Sequence, residues 1–530
     1  MERGEWIGAS VGYQVLPRGE PPGERGSITF CTIPTFLEWM QSASDASGTS
    51  TMGHSLDDVT HVVADEMHER GADTDLLLVV LKRLLADRRA KGKPAKIILM
   101  TATIDPTLLQ QYFPDEQGLP SKVIEVPCRG FPVKKHFLDE FISDLATTPA
   151  AAETLAQDSV ANYVRNELGP SAPQLCSLSL PTDRSKGEEL EVPAPLVALT
   201  IAHVLRSTED GHILTFLPGW DEIQRVHWYI TNPASRLAVD FGDPTKWSIH
   251  LLHSAISVTE REETFDFPPE CVRKIILATD IAETSVAIPG VVYVVDAAKV
   301  EEQRFDPERH TSSLVSAWVS SSNLNQRAGC AGRHRPGEYF GILSQKRASG
   351  LHPNQVAEMK RVDLSKLVMR VKALNLPGMS VGDVLSETIE PSVVERVAAA
   401  MKDLTMAGAL DAQKNLTPLG RILLQLPVGV QVGRLIVLGV FFKCLDTALT
   451  LAAILINRGP STTGTSIIPR PRATISPFFR SDALIALIMY PLRNLFWEVE
   501  GDGGPNPFST IKGIKDHLLK GFCRTGVINA

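Results

Sequence analysis

The sequence predicts an α/β protein in which two parallel sheets flanked by helices precede a helical C-terminal third. Residues 59–104 have the pattern strand, helix, strand, and four further apolar strands are predicted between residues 211 and 300. After about residue 350 the strand pattern gives way to amphipathic helices punctuated by proline and glycine. Short all-apolar strands separated by helices are typical of parallel sheets covered on both faces.

Composition narrows the class of protein. The 530 residues, 43% of them hydrophobic, are enough for three or four domains. The net charge of -8 excludes a chain-wide basic field, so phosphate binding would have to use local grooves or backbone amides. The seven cysteines form no CxxC pair, which argues against a zinc site and against a disulfide scaffold. There is neither an apolar run of ~20 residues nor a signal peptide, so we expect no membrane binding and an intracellular, cytoplasmic or nuclear, location.

Composition and periodicity divide the chain into four predicted domains. The two α/β domains cover residues 1–130 and 131–347. A stretch rich in proline, serine and alanine predicts a loop insertion in the second of them, at about 145–195. Residues 348–425 and 426–530 are expected to form a small helical domain and a helix bundle.

Polar clusters follow several of the apolar strands. Asp65 and Glu66 come directly after VTHVVA, Thr101 and Thr103 follow KIILM, and Thr279 follows KIILA. Ligands of open parallel sheets bind outside the carboxyl ends of the strands, so these clusters are candidate site residues. Taken singly, each cluster is better explained as a loop or helix cap, since Asp and Thr favour strand ends and helix starts.

Six motifs in a fixed order favour functional sites over local caps. They are ADEMHER, MTATID, FLPGWDE, LLHSAIS, LATDIAETS and NQRAGCAGR. In this order the chain resembles the DEAH-box branch of superfamily 2 RNA helicases. The resemblance implies tandem RecA-like domains followed by winged-helix and helical-bundle domains. It also implies an enzyme that couples ATP hydrolysis to RNA translocation and unwinding.

The resemblance assigns catalytic roles to residues on both sides of a nucleotide cleft. Phosphoryl transfer needs Mg²⁺ on the terminal phosphates, a group that orients the attacking water, and cations that stabilise the transferring phosphoryl group. By resemblance, Asp65 holds Mg²⁺ through water, Glu66 activates the water, and His68 couples the nucleotide site to the second domain. On the opposite side, Arg333 is the arginine finger and Gln326 positions water or phosphate.

The remaining assignments also come from the resemblance. Contacts to the ATP cofactor are expected from Phe265, Thr284 and Gly329. RNA contacts, mainly to the sugar-phosphate backbone, are expected from Thr32, Thr215, His253, Ser254 and Thr279, and coupling between the two sites from Thr101 and Thr103. A hydroxyl at a strand end is more often a local cap, and Phe265 is equally well explained as a core residue. The family further implies a monomer with a protein activator.

Several departures from the family pattern support a second hypothesis. No GxxxxGK[ST] phosphate loop occurs in the 530 residues, and Cys330 stands where the family has a second finger arginine. The resemblance places that loop upstream of VGYQV, so we expect the first domain to be incomplete and to lack its first strand. The final bundle is expected to be incomplete as well. The alternative function is therefore a catalytically impaired helicase-like module that binds RNA or protein.

Overall fold

The structure is a computed structural model with three regions: a first lobe up to residue 126, a second lobe over residues 130–349, and a C-terminal unit over residues 356–456. It describes residues 5–15, 18–23, 27–44, 59–102, 106–115, 117–126, 130–169, 191–235, 237, 239–254, 256, 258–266, 268–269, 271–284, 288–307, 311–376 and 378–456. The predicted α/β class is confirmed, whereas the four domain boundaries stay predictions.

The first lobe contains two small sheets and three helices. Its elements are β1 Val11–Val15, β2 Arg18–Glu20, β3 Ile28–Cys31, α1 Ile33–Ser44, β4 His61–Ala64, α2 Ala72–Ala90, β5 Lys96–Leu99 and α3 Pro106–Tyr112. Within the described residues the strands pair as β2-β1-β3 and as β4-β5, and β4 and β5 run parallel. The strand, helix, strand pattern predicted for residues 59–104 is therefore present as β4, α2 and β5.

Helix α2 is apolar and covered on all sides over its first half, whereas from Lys82 onward it also carries exposed charged residues. Leu76 to Leu81 are all at most 4% exposed. A helix that is hydrophobic around its whole circumference belongs to an interior. Asp73 and Asp75 lie in its first turn and Arg88 and Arg89 in its last, where they complement the helix dipole.

The second lobe is built on a six-stranded parallel sheet. The described strands of the lobe, six in this sheet and two in a separate hairpin, are β6 Val133–Phe137, β7 His212–Phe216, β8 Trp247–Leu252, β9 Arg273–Ala278, β10 Val291–Asp296, β11 Lys299–Asp306, β12 Thr311–Trp318 and β13 Gly337–Gly341. Its helices are α4 Leu138–Leu145, α5 Pro149–Leu155, α6 Asp158–Leu168, α7 Ala194–Ser207, α8 Trp220–Thr231, α9 Val258–Glu263, α10 Ile281–Thr284, α11 Ser321–Gly329 and α12 Gln345–Ser349. The sheet order is β6-β13-β10-β7-β9-β8, and β11 and β12 form a separate antiparallel hairpin. Apolar clusters cover both faces of the sheet, as its all-apolar strands predict.

The loop insertion predicted at about 145–195 is wrong over its first half, which forms α5 and α6. Thr148 caps α5 by accepting a hydrogen bond from the Ala151 amide at 3.2 Å, and Pro149 occupies the first turn, where its missing N–H costs nothing. Val160 and Tyr163 of α6 are at most 2% exposed within the core. Residues 170–190 lie outside the described residues.

The C-terminal unit is helical, as predicted. Its helices are α13 Ser365–Leu374, α14 Val381–Ser386, α15 Val394–Met406, α16 Pro418–Gln425, α17 Val430–Phe441 and α18 Leu445–Ile456. One apolar core joins these helices to α1 and α2 of the first lobe. Where the chain is described, no single helix has the length and apolarity to cross a membrane; α16 and α17, bent by 112°, meet that length and composition test only as a pair.

Candidate active site between the two lobes

The motif ADEMHER, residues 64–70 and called the acidic motif from here on, forms a strained turn directly after β4. A 3-10 turn, Met67–Glu69, is flanked by Glu66 and Arg70, whose φ angles of 56° and 50° lie in the left-handed region. The Met67 amide donates to the Met100 carbonyl at 3.1 Å, which ties the turn to the segment after β5. Left-handed backbone at non-glycine residues costs on the order of 1–3 kcal/mol each and persists only where its surroundings impose it.

The carboxylates of Asp65 and Glu66 in this motif are open to solvent. Asp65 is exposed, and its Oδ1 accepts a hydrogen bond from the Glu66 amide at 2.8 Å. The Glu66 side chain is 34% exposed, and its Oε2 lies 3.4 Å from His68 Nδ1. Both carboxylates therefore lie at the carboxyl end of β4 and can take further ligands.

His68 meets Gln326 of the second lobe. Gln326 lies on α11, which Ser320 caps by accepting a hydrogen bond from the Asn323 amide at 3.1 Å. Gln326 Nε2 is 3.4 Å from His68 Nε2, and the His68 side chain is only 5% exposed. His68 Nδ1 and Gln326 Oε1 are buried without a hydrogen-bond partner. Such orphaned atoms cost about 1–3 kcal/mol each, so this junction suits a polar ligand or water.

Arg333 is connected to Gln326 through Cys330. Arg333 is exposed, and its Nη2 donates to Cys330 Sγ at 3.8 Å. The Cys330 thiol, in a residue 4% exposed, lies 3.7 Å from the Gln326 carbonyl, and burial raises its pKa. The five predicted catalytic residues, Asp65, Glu66, His68, Gln326 and Arg333, thus form one series of neighbours across the lobes.

A buried ionic network beneath α11 was not predicted from the sequence. Arg327, 1% exposed, donates from Nε to Glu283 and from Nη1 to Asp296, each at 3.0 Å. The Tyr339 hydroxyl donates to the second oxygen of Asp296 at 2.9 Å. The network joins the helix that carries Gln326 to α10 and to the end of β10. Arg327 lies within the motif NQRAGCAGR, but the sequence does not show that its side chain is buried.

The residues predicted to contact ATP lie on three different segments of the second lobe. Phe265 is partly buried against an apolar cluster of the second lobe. Lys274, 3% exposed, fixes the turn around it by donating to the carbonyls of Glu263 and Thr264 at 3.0 Å each, and also to that of Asp266. The α-carbon of Gly329 faces open space. Thr284 ends α10, and its side chain lies outside the described residues.

Three predicted RNA residues lie at one edge of the large sheet. His253 and Ser254 follow β8, and Thr279 follows β9, with its amide donating to the Leu252 carbonyl at 3.3 Å. Trp220, which the sequence did not single out, stacks on His253 with ring centroids 5.2 Å apart. Thr279 is only 6% exposed, so the accessible groups among these residues are the exposed Ser254 and the stacked rings of Trp220 and His253.

The other predicted RNA and coupling residues do not join that edge. Thr215 is fully buried in β7, and its hydroxyl has no hydrogen-bond partner, so it lines no accessible groove in this conformation. Thr32 lies in the first lobe after β3, with its hydroxyl 2.8 Å from that of Thr35. Thr101 follows β5 beside the Met67 contact, whereas Thr103 lies outside the described residues.

The donor set fits a magnesium ion held mainly by nucleotide and water. The described residues contain no group of three or more His, Cys, Asp or Glu side chains that could hold a metal by themselves. Mg²⁺ keeps several waters and binds through one or two carboxylates plus substrate phosphates. The exposed carboxylate of Asp65 suits that mode of binding.

Comparisons with known proteins find helicase domains in the chain and helicases among the proteins similar to it. Residues 196–335 match the helicase conserved C-terminal domain, and residues 400–428 match the winged-helix helicase associated domain (HA2). The ATP-dependent DNA/RNA helicase DHX36 of Bos taurus is 34% identical over 471 residues, covering 86% of this chain and 44% of that protein. The DExH-box ATP-dependent RNA helicase DExH3 of Arabidopsis thaliana is 33% identical over 478 residues, covering 87% of this chain and 38% of that protein. The crystal structure of the Escherichia coli DEAH/RHA helicase HrpB aligns with a TM-score of 0.60 at 26% identity, covering 97% of this chain and 54% of that one. The chain spans less than half the length of these two curated relatives.

Proposed function

We propose, from the premise that this chain belongs to the DEAH-box family of superfamily 2 helicases, that its two lobes couple ATP hydrolysis to movement along RNA. The observation that carries the proposal is the contact between His68 and Gln326, 3.4 Å apart across the lobes. It joins the acidic motif of one lobe to the NQRAGCAGR motif of the other. Nucleotide bound between them would contact both lobes, so its hydrolysis would change how they are held together.

In this proposal the residues divide the chemistry between them. Glu66 orients the attacking water and accepts its proton, because its carboxylate is partly exposed beside the turn. Asp65 holds Mg²⁺ through water, and the ion when bound offsets charge on the terminal phosphates. Arg333 stabilises the transferring phosphoryl group, for which its permanently charged, planar guanidinium is suited. Gln326 fixes water or phosphate with the amide oxygen that has no protein partner.

RNA binding in this proposal uses the edge formed by His253, Ser254 and Thr279. Hydroxyl, amide and aromatic groups there suit the sugar-phosphate backbone and the faces of unpaired bases, which explains how a chain of net charge -8 could hold RNA without reading its sequence. Action as a monomer, response to a protein activator, and an intracellular location in the cytoplasm or nucleus complete the proposal.

A binding module is the second candidate function. The 530 residues contain no GxxxxGK[ST] loop, and Cys330 is buried at a position where the family pattern has an arginine. Replacement of an arginine by cysteine removes one cation from the phosphate site without touching the RNA edge. The same chain would then bind RNA or protein without hydrolysing ATP.

ATP hydrolysis by the full 530-residue chain separates the two candidates. Phosphate release is measured with Mg²⁺, with and without single-stranded oligo(U), for the natural sequence and for Glu66→Gln. The motor proposal expects RNA-stimulated hydrolysis that Glu66→Gln lowers by about 10²-fold or more, the usual contribution of a general base. A natural sequence no faster than Glu66→Gln, with oligo(U) binding retained in fluorescence anisotropy, would instead establish the binding module.

A further inference from the structure

We infer that Arg70 is a positioning residue, held by Glu358 and Glu390 of the C-terminal unit, which fixes the acidic motif in its working conformation. The inference deepens the proposed function and rests on it for its kinetic consequence. It gives the C-terminal unit a direct role at the hydrolytic site, although that unit supplies none of the predicted catalytic side chains.

The guanidinium of Arg70 is shared between the first lobe and the C-terminal unit. Arg70 is 7% exposed, and its Nε and Nη2 donate to the two carboxylate oxygens of Asp75 at 3.0 and 3.1 Å. Its Nη1 donates to Glu390 Oε1 at 2.9 Å. Lys360 and Arg70 hold the pKa of the Glu390 carboxyl below its usual value, so Glu390 is a carboxylate at neutral pH. Bidentate pairing of this kind fixes the plane of the arginine as well as its position.

The C-terminal unit also holds the backbone on either side of Gly71. The Glu358 amide donates to the Arg70 carbonyl at 3.1 Å, and the Glu358 carboxylate accepts from the Ala72 amide at 2.7 Å. Gly71 is the N-cap residue of α2 and has no side chain with which to cap the helix. A carboxylate from another part of the chain therefore supplies the cap that the local sequence lacks.

These contacts restrain the strained turn at its far end. The Met67 amide holds the beginning of the turn against the Met100 carbonyl, and Arg70, with its φ of 50°, closes the turn. His68 lies between the two restraints and contacts Gln326. If Glu358 loses its hydrogen bond to the Ala72 amide, or Glu390 its ion pair with Arg70, the turn can relax. His68 and Glu66 then leave the positions in which they face the second lobe.

A neighbouring ion pair provides a matched control. Arg83 of α2 is bonded to Glu387 of the C-terminal unit, with side chains 44% and 31% exposed. This pair joins the same helix to the same unit but does not touch the acidic motif. Glu387→Gln therefore removes an inter-unit carboxylate of the same chemistry without altering the turn.

The experiment compares Glu358→Gln, Glu390→Gln and Glu387→Gln in the full chain. We expect the first two to speed hydrogen–deuterium exchange of the amides at residues 67–72 and to lower kcat for ATP, each by about tenfold, with KM within about twofold, because displacement of a positioned group slows chemistry more than it weakens binding. Glu387→Gln should leave both measurements unchanged.

Two results would overturn the inference. One is unchanged exchange at residues 67–72 in Glu358→Gln and Glu390→Gln. The other is an equal effect of all three substitutions, which would mean that the carboxylates only hold the units together. The exchange measurement needs no turnover, so a chain that hydrolyses no ATP would refute the proposed function while the positioning of the turn is still decided.

Discussion

Removal of the buried Arg327 guanidinium should destabilise the second lobe strongly. Arg327→Met keeps most of the side-chain volume but leaves Glu283 and Asp296, 3% and 0% exposed, without their shared cation. Breaking a buried ion pair by removing one partner costs about 3–5 kcal/mol. At about 2–4 °C per kcal/mol for a lobe of this size, the melting temperature should fall by roughly 6–20 °C.

Tryptophan fluorescence is a suitable probe, because four of the seven tryptophans, Trp220, Trp228, Trp247 and Trp318, lie in the second lobe. Arg335→Met is the matched control, since it removes an arginine from an ion pair with Asp210 whose side chains are 44% and 71% exposed. Exposed pairs contribute about 0–1 kcal/mol, so this control should shift the melting temperature by no more than about 4 °C. If both variants melted alike, the ionic network would not be the anchor of α11 that the structure indicates.

Three further predictions concern the second lobe. Burial, and after it the positive charge of Lys274, lowers the pKa of His212 to about 4, below its unfolded value of about 6.5. The folded state therefore loses stability as the pH falls from about 6.5 through 4. Over that range the melting temperature of His212→Asn should fall by less than that of the natural sequence. Lys274→Met leaves three carbonyls around Phe265 without their buried donor, which should cost about 1–3 kcal/mol in chemical denaturation and speed amide exchange at residues 263–266. Iodoacetamide followed by peptide mass spectrometry should label the exposed Cys271 in the native chain, whereas the buried Cys330, whose pKa is raised by burial, should react only after unfolding.

The sheet of the second lobe could be predicted because its strands are uniformly apolar and bounded by turns. HILTF, RKIILA and VVYVVD each form a strand of the parallel sheet. The error at residues 149–168 came from giving composition more weight than local signals. Thr148 and Pro149 are a recognisable helix start, and apolar residues recur at helical spacing from Val160 to Leu168. Alanine and proline content alone misrepresented that segment.

The residues of the site could be predicted where they lie within a motif, but contacts between distant segments could not. Asp65 and Glu66 were noticed because they directly follow an apolar strand, and their roles and that of His68 came from the resemblance of the six ordered motifs. Gln326, 258 residues from His68, was named only through the resemblance, and the pairing of Arg70 with Glu390, 320 residues away, was not predicted. Such pairings depend on how the folded units pack, and no local pattern encodes them. Burial is equally non-local, which is why Thr215 was predicted to contact RNA and is enclosed in β7.

The distribution of apolar cores indicates which units move together. The core that contains α1 and α2 continues into α13–α18, whereas the apolar clusters of the second lobe include none of these helices. Separating the first lobe from the C-terminal unit would expose that shared core to water, at about 25 cal/mol per Å² of apolar surface. The His68–Gln326 contact and the hydrogen bond from the Phe305 amide to the Arg361 carbonyl are polar, and water can replace them. Opening of the cleft therefore has the lowest free-energy cost when the second lobe moves against the other two units. In that movement the contacts of Arg70 with Glu358 and Glu390 are kept, while His68 and Gln326 separate.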